Sequence, residues 1–163
     1  MIVIDASAFI SLAIADALQP VIDEYDVHTT QQVIDELETT ADYDDIHGRA
    51  ADHVLTQTDT ITIHETADPG FETSRIDTGE ASCTQVAKTH DADFLLTDDL
   101  RALPELQQLT DAQVAISPIL LRALVKRGVP TNEQAKERLE EVAVSRDWLG
   151  APISRRAKHL FND

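Results

Sequence analysis

The chain alternates short, uninterrupted apolar runs with longer stretches of helical spacing. Ile2-Val3-Ile4 is a continuous apolar run closed by Asp5, the pattern of a strand buried on both faces. From Ala6 to Leu18 the apolar positions Phe9, Ile10, Ala13, Ile14 and Ala17 recur at helical spacing, and Pro20 is expected to stop that helix. Tyr25 to His28 predicts a short second strand, after which Thr29 or Thr30 caps a helix carrying Val33, Ile34 and Leu37. A further helix is expected from about Asp45 to Leu55. Ile61-Thr62-Ile63, flanked by polar residues, reads as an edge strand, and Thr66 to Arg75, around Asp68-Pro69-Gly70, as a loop.

The second half continues the alternation. A helix starting at Thr78, with Glu80 in its first turn, runs through Ala81, Val86 and Ala87 into the apolar strand Phe94-Leu95-Leu96, which ends at Thr97-Asp98-Asp99. A helix through Leu100, Leu103 and Leu106, the strand Val114-Ala115-Ile116 and the helix Pro118 to Arg127 follow. Strands alternating with helices imply an α/β fold of three layers, a central parallel sheet flanked by helices. Gly128-Val129-Pro130 is a break, so residues 1–130 are expected to form the sheet-containing domain. Residues 131–163, with a helix opening at Thr131-Asn132-Glu133 and another from Pro152 to Phe161, are expected to be a helical extension packed on that domain.

A length of 163 residues and 42% apolar composition can fill one core without disulfides. The single cysteine, Cys83, rules out a disulfide framework within the chain and a two-cysteine zinc site. With no 18-residue apolar stretch and no signal-like start, the expectation is a cytoplasmic protein without a membrane partner. Charge changes the picture more. The formal net charge is -17, divided as -19 over residues 1–100 and +2 over residues 101–163. Such a surface repels nucleic acid at low salt, but at about 1 M ionic strength the screening length is only about 3 Å. An Asp-rich, Lys-poor chain is therefore read as halophilic, with an acidic face for a basic partner as the alternative. Phosphate contacts are expected from the C-terminal third, with Arg155, Arg156 and Lys158 as candidates against the plainer reading of a solvated helix.

In an open parallel sheet the ligand site lies beyond the carboxyl ends of the strands. Asp5 follows the first strand there and Asp98-Asp99 follow the fourth, while Glu80 opens the helix between and Glu36 lies beside Val33 and Leu37. Each has a plainer role: Asp5 as a helix cap, Glu80 as an acid favoured by a helix terminus, and Glu36 as a surface residue. Together, such carboxylates repel unless cations or protons share the site. Mg²⁺ and Mn²⁺ prefer oxygen ligands, and paired ions can activate a water and stabilise the leaving oxygen of a phosphodiester. A histidine metal site is not expected, since His47 and His53, the nearest pair in sequence, do not share a helical face.

Four segments carry a resemblance. Val3-Ile4-Asp5-Ala6-Ser7-Ala8-Phe9, Val33-Ile34-Asp35-Glu36-Leu37, Asp77-Thr78-Gly79-Glu80-Ala81 and Asp93-Phe94-Leu95-Leu96-Thr97-Asp98-Asp99 resemble, in order, the motifs of PIN domains, a family of toxin ribonucleases and RNA-processing nucleases. The resemblance runs from Met1 to about Ile116, and the tail to Leu149 is similar to that of an archaeal and bacterial subgroup. It implies an endoribonuclease using Mg²⁺ or Mn²⁺, with Asp5, Glu36, Glu80 and Asp99 as catalytic metal ligands and Asp98 a further ligand. Ser7 and Thr97 would orient them. RNA is the implied substrate; a toxin would add an antitoxin protein as partner, and a homodimer is within the same range. Gly79-Glu80-Ala81 fits the subgroup better than the toxins, which often carry Asp at the position of Glu80.

Other classes fit less well. A haloacid dehalogenase-type phosphatase needs a second Asp two positions after the first, where this chain has Ser7, and a receiver domain needs a Lys after a late strand, where Ser117-Pro118 stand. A PIN-fold module that binds RNA or protein without cutting remains the alternative. The charge makes its own prediction: the unfolding temperature should rise and then level off between about 0.1 and about 3 M KCl, as the screening length falls from about 10 Å to under about 3 Å. A flat or falling profile would show that self-repulsion among the acids does not limit stability.

Overall fold

A computed structural model describes residues 1–66 and 76–161. Most of the loop expected between Thr66 and Arg75 lies outside the described residues. Among the described residues five strands form one parallel sheet: β1 (Ile2–Ile4), β2 (Val27–Thr30), β3 (Thr62–His64), β4 (Phe94–Leu96) and β5 (Gln113–Ala115), in the order β3-β2-β1-β4-β5. Among the described residues nine α-helices flank it: α1 (Ala6–Ile14), α2 (Leu18–Glu24), α3 (Gln31–Ala41), α4 (Ile46–Leu55), α5 (Thr78–Thr89), α6 (Leu103–Leu109), α7 (Pro118–Lys126), α8 (Asn132–Ser145) and α9 (Pro152–His159). The fold is therefore the three-layer α/β arrangement that the alternation of patterns predicts.

β1 is the central strand, and its three residues are fully buried, which is why they form an unbroken apolar run. The chain steps outward from β1 to β2 and β3, then crosses back by α5 to start β4 on the other side of β1. The reversal of direction between β1 and β4 opens a crevice at their carboxyl ends, the usual ligand position in such sheets. Ile4 pairs with Leu96, so Asp5 and Thr97 leave the sheet side by side.

The helix boundaries follow local chemistry, with one correction. Thr30, Asp45, Asp77 and Thr131 cap α3, α4, α5 and α8 through their side chains, and Asp77 and Thr131 each complete a capping box. Pro20 does not stop a helix running from Ala6. That helix ends at Ile14, where Asp16 turns the chain at a φ of 55°, and Pro20 lies in the first turn of α2, where a missing N–H leaves no helical hydrogen bond unmade. Asp91 and Asp147 take the same left-handed conformation just beyond α5 and α8, a role for which a short polar side chain is suited.

Residues beyond Pro130 lie against the sheet-containing part. α8 packs on α1 and α7, and Trp148, Ile153, Ala157 and Phe161 are buried in the same core. Arg138 in α8 donates to the Asp16 carbonyl at the end of α1, at 3.5 Å. No single helix among the described residues is long and apolar enough to cross a membrane.

Candidate active site

Asp5 stands where β1 becomes α1. Its N–H donates to the Leu96 carbonyl at 3.0 Å, so the residue is still tied to β4. Its Oδ1 accepts from Ala8 N at 3.1 Å, as a helix cap does, and from Ser7 Oγ at 2.7 Å. The capping reading and the site reading thus describe the same side chain. Ser7 Oγ also accepts from the Asp98 N–H at 3.0 Å, and the Thr97 hydroxyl accepts from the Asp99 N–H at 3.2 Å. One buried hydroxyl network therefore fixes the ends of both strands.

The two adjacent aspartates face different surroundings. Asp98 is buried, and Ser117 at the start of α7 donates to both its oxygens, N to Oδ1 and Oγ to Oδ2, each at 2.7 Å. Burial raises its carboxyl above the ordinary range, while Ser11, Ser117 and the charge of Arg146 pull it back. Asp99 is partly exposed, accepts from the Arg101 N–H at 3.0 Å, and contributes its charge to Glu80.

Glu80 is buried in the first turn of α5, where its Oε2 accepts from the Asp77 N–H at 3.1 Å in the capping box. Burial first, then the charges of Asp77, Asp5 and Asp99, push it up to about 9. Burial likewise pushes Asp5 up to about 7 against the hydrogen bonds from Thr97, Ala8 and Ser7. Glu36 belongs to an exposed helix position, but its carboxylate leans over Gly79: a Cβ on Gly79 would stand 2.9 Å from Glu36 Oε2. Burial and the charge of Asp77 raise it as well. A cleft lined by Gln32, Asp35, Glu36, Asp77, Thr78 and Gly79 opens on this side.

The structure thus brings Glu80 within the fields of Asp5 and Asp99 and places Glu36 at the helix N-terminus that carries Glu80. Asp77, which caps that helix, adds a fifth acid that motif reading assigned no role; its position three residues before Glu80 is the signal that could have found it. The donor set is all hard oxygen, and the raised acids need protons or cations to share the space, which fits a divalent ion. In the positions taken here, however, no group of three or more His, Cys, Asp or Glu side chains among the described residues could hold an ion. Glu80 is turned back into its capping box instead.

Other candidates lie elsewhere. Arg155, Arg156 and Lys158 are exposed on α9, Arg155 donates to the Gly150 carbonyl at 3.1 Å, and none is joined to the acids by a hydrogen bond or ion pair among the described residues. Arg146, which sequence patterns left unmarked, is the basic residue whose charge acts on Asp98 and is itself supported by Asp98 and Asp5. The histidines that meet are His28, His64 and His90, from β2, β3 and the end of α5, with His28 Nδ1 2.8 Å from His64 Nε2 and the His64 and His90 rings 4.6 Å apart.

The sequence model of a family described as a PIN domain, DUF3368, matches residues 1–163. The chain belongs to this PIN-domain family. No curated protein and no solved structure matches it. PIN domains are generally nucleases that act on nucleic acids with divalent metals.

The raised acids set a pH dependence of stability. A carboxyl that binds its proton more tightly in the folded chain favours folding below its ordinary value, and that advantage is lost as pH climbs to the raised one. The window runs from 3.8 to about 7 for Asp5 and from 4.5 to about 9 for Glu80. His64, lowered by burial and by His90 and His28, acts in the opposite sense but only below 6.5. In chelator the unfolding temperature should therefore fall between pH 6.5 and about 9, and Glu80→Gln, which keeps the capping box, should flatten the fall. An unchanged slope in Glu80→Gln would place the repulsion elsewhere.

Proposed function

We propose that this PIN-domain protein is a divalent-metal-dependent endoribonuclease that hydrolyses RNA phosphodiesters with Mg²⁺ or Mn²⁺. The observation that carries the reading is the delivery of Asp5, Glu80 and Asp99 from β1, α5 and β4 to the crevice where the sheet reverses direction, close enough for each of the other two to raise Glu80. Asp5, Glu36, Glu80 and Asp99 would hold the metal. When bound, it supplies an activated water and neutralises charge at the phosphate.

The chain's own residues do the rest. Ser7 fixes the Asp5 carboxylate through Oδ1, and Thr97 orients the Asp99 backbone. Glu80, protonated near neutral pH, must give up its proton when a cation takes that proton's place, so metal affinity should increase with pH. Asp98, spent on Ser117, holds the end of β4 to the start of α7, and its part at the metal would be indirect. Whether the enzyme is the toxin of a pair with an antitoxin or processes RNA, the chemistry is the same. The second reading, a PIN-fold module that binds RNA or protein without cutting, draws on the carboxylates that do not converge as they stand.

The test is cleavage of a labelled total-RNA pool with Mn²⁺, with and without chelator, at molar KCl. Asp5→Asn and Asp99→Asn should each abolish cutting while the fold survives, because Asn caps a helix as well as Asp and one repelling charge is gone. Full cleavage in both variants would remove the site from consideration, and RNA binding without any cleavage by the wild type would leave the second reading.

The neighbouring pair gives a separate outcome. Asp99→Asn should weaken Mn²⁺ binding far more than Asp98→Asn, whereas Asp98→Asn should cost more in unfolding temperature because it disturbs two buried hydrogen bonds from Ser117. The reverse order in a Mn²⁺ titration under identical salt would make Asp98 the ligand.

A further inference from the structure

Arg146 belongs to the C-terminal segment, far in sequence from every acid of the site. The helix geometry nevertheless carries it there. Arg138 meets the Asp16 carbonyl just beyond the end of α1, α8 packs on α1, and the charges of Asp98 and Asp5 act on Arg146, so the chain runs from the end of α1 back toward its start. Eight residues later, about 12 Å along a helix axis, the chain has returned by roughly the length of α1, whose N-cap is Asp5. Arg146 is the C-cap residue there, held by its N–H to the Val142 carbonyl at 2.8 Å. Asp147 then turns the chain at a φ of 58°, and Trp148 is buried in the core. The side chain is half-buried and makes no hydrogen bond or ion pair among the described residues.

A guanidinium has five donors, and leaving it partly desolvated without a close partner is unfavourable. No hydrogen bond joins those donors to the Asp98 carboxylate, whose two oxygens each accept from Ser117. Burial lowers the Arg146 guanidinium from its ordinary range, the charges of Asp98 and Asp5 oppose that, and its planar fork has no close partner among the described residues, a geometry suited to an anion. The phosphate of a nucleic-acid strand is such an anion. It would approach a half of the chain carrying net charge -19, where a cation beside Asp5 changes the balance most.

We propose that Arg146 is a catalytic residue of the site, contacting a non-bridging oxygen of the scissile phosphate, and that the tail serves to bring this guanidinium to the carboxylates. The proposal rests on the nuclease reading and specifies how the substrate is held. Arg155, Arg156 and Lys158 would then be peripheral contacts at most.

The experiment uses the full chain with Arg146→Gln and Arg146→Lys, measuring RNA cleavage, Mn²⁺ affinity and unfolding temperature. In Arg146→Gln turnover should drop by about 100-fold, the scale of losing one preorganised donor to a developing charge. Arg146→Lys should recover part of that loss. Mn²⁺ affinity should stay equal or become tighter in Arg146→Gln, because a positive charge beside the carboxylates has been removed. A residue that served only as counter-charge to Asp98 would move metal affinity and unfolding temperature together with activity, or move none of them; either pattern overturns the proposal.

If Arg146→Gln does not fold, Arg146→Lys, which keeps the charge beside Asp98 but loses the planar fork, carries the comparison: turnover should fall while Mn²⁺ affinity and unfolding temperature stay near those of the wild type, and unchanged turnover would overturn the proposal. Binding of a short RNA strand in Ca²⁺ separates the two readings. Should the wild type bind RNA without cutting it, a loss of about tenfold in Arg146→Gln would keep the phosphate contact and reject the nuclease, on the scale of one lost phosphate contact. No loss would reject the contact, and a wild type that neither binds nor cuts RNA would reject both.

Discussion

Like charges held out of water repel, and in this protein that repulsion is imposed by strand register. Because Ile4 pairs with Leu96, the first polar residues after β1 and β4 emerge together, and α5 returns over the sheet to set Glu80 beside them. The fold then has to stabilise carboxyls it has desolvated. It does so with donors on the carboxylate oxygens: the Ser7 hydroxyl to Asp5, the Ser117 hydroxyl to Asp98, and the Asp77 N–H to Glu80. Each oxygen tied down in this way leaves fewer free for a ligand. Asp98 accepts from Ser117 on both oxygens, whereas Asp99, its less buried neighbour, is less committed, which is why the proposed reading makes Asp99 the ligand.

The same side chains hold the fold and make up the site. Asp5 is a cap and a candidate ligand, Glu80 is half of a capping box and a candidate ligand, and Asp77 stabilises α5 while it raises Glu80 and Glu36. A cation that recruits Glu80 competes with the Asp77 N–H for its oxygen. Stability of the first turn of α5 and occupancy of the site are therefore linked, and substitutions here act on both.

Periodicity was sufficient for β1 and β4, which are short, apolar and followed by a polar stop, as in Ile2-Val3-Ile4-Asp5 and Phe94-Leu95-Leu96-Thr97, whereas the mixed β2, β3 and β5 lie one or two residues from their expected bounds. It misjudged Pro20, since a proline stops a helix only from the interior, and whether it lies in an interior depends on where the previous helix ended. The resemblance favoured Asp99 over Asp98, but what separates their surroundings, Ser117 nineteen residues from Asp98, was not visible in the sequence. Nor was Arg146, whose place depends on the direction of α8 against α1, or the meeting of His28, His64 and His90, which comes from the pairing of β2 with β3. What could be read was local; what could not depended on how distant segments pack.

Gly79 makes the site easy to lose by mutation. Any glycine codon becomes an alanine codon by a single base change, and the methyl group so added would crowd only the movable end of Glu36, with Asp77 and Val33 side chains at ordinary contact and no backbone in the way. The fold would tolerate it while the carboxylate was pushed off its seat. If Glu36 holds a metal as proposed, the residue before Glu80 bears on the site through that carboxylate, although it brings no functional group of its own.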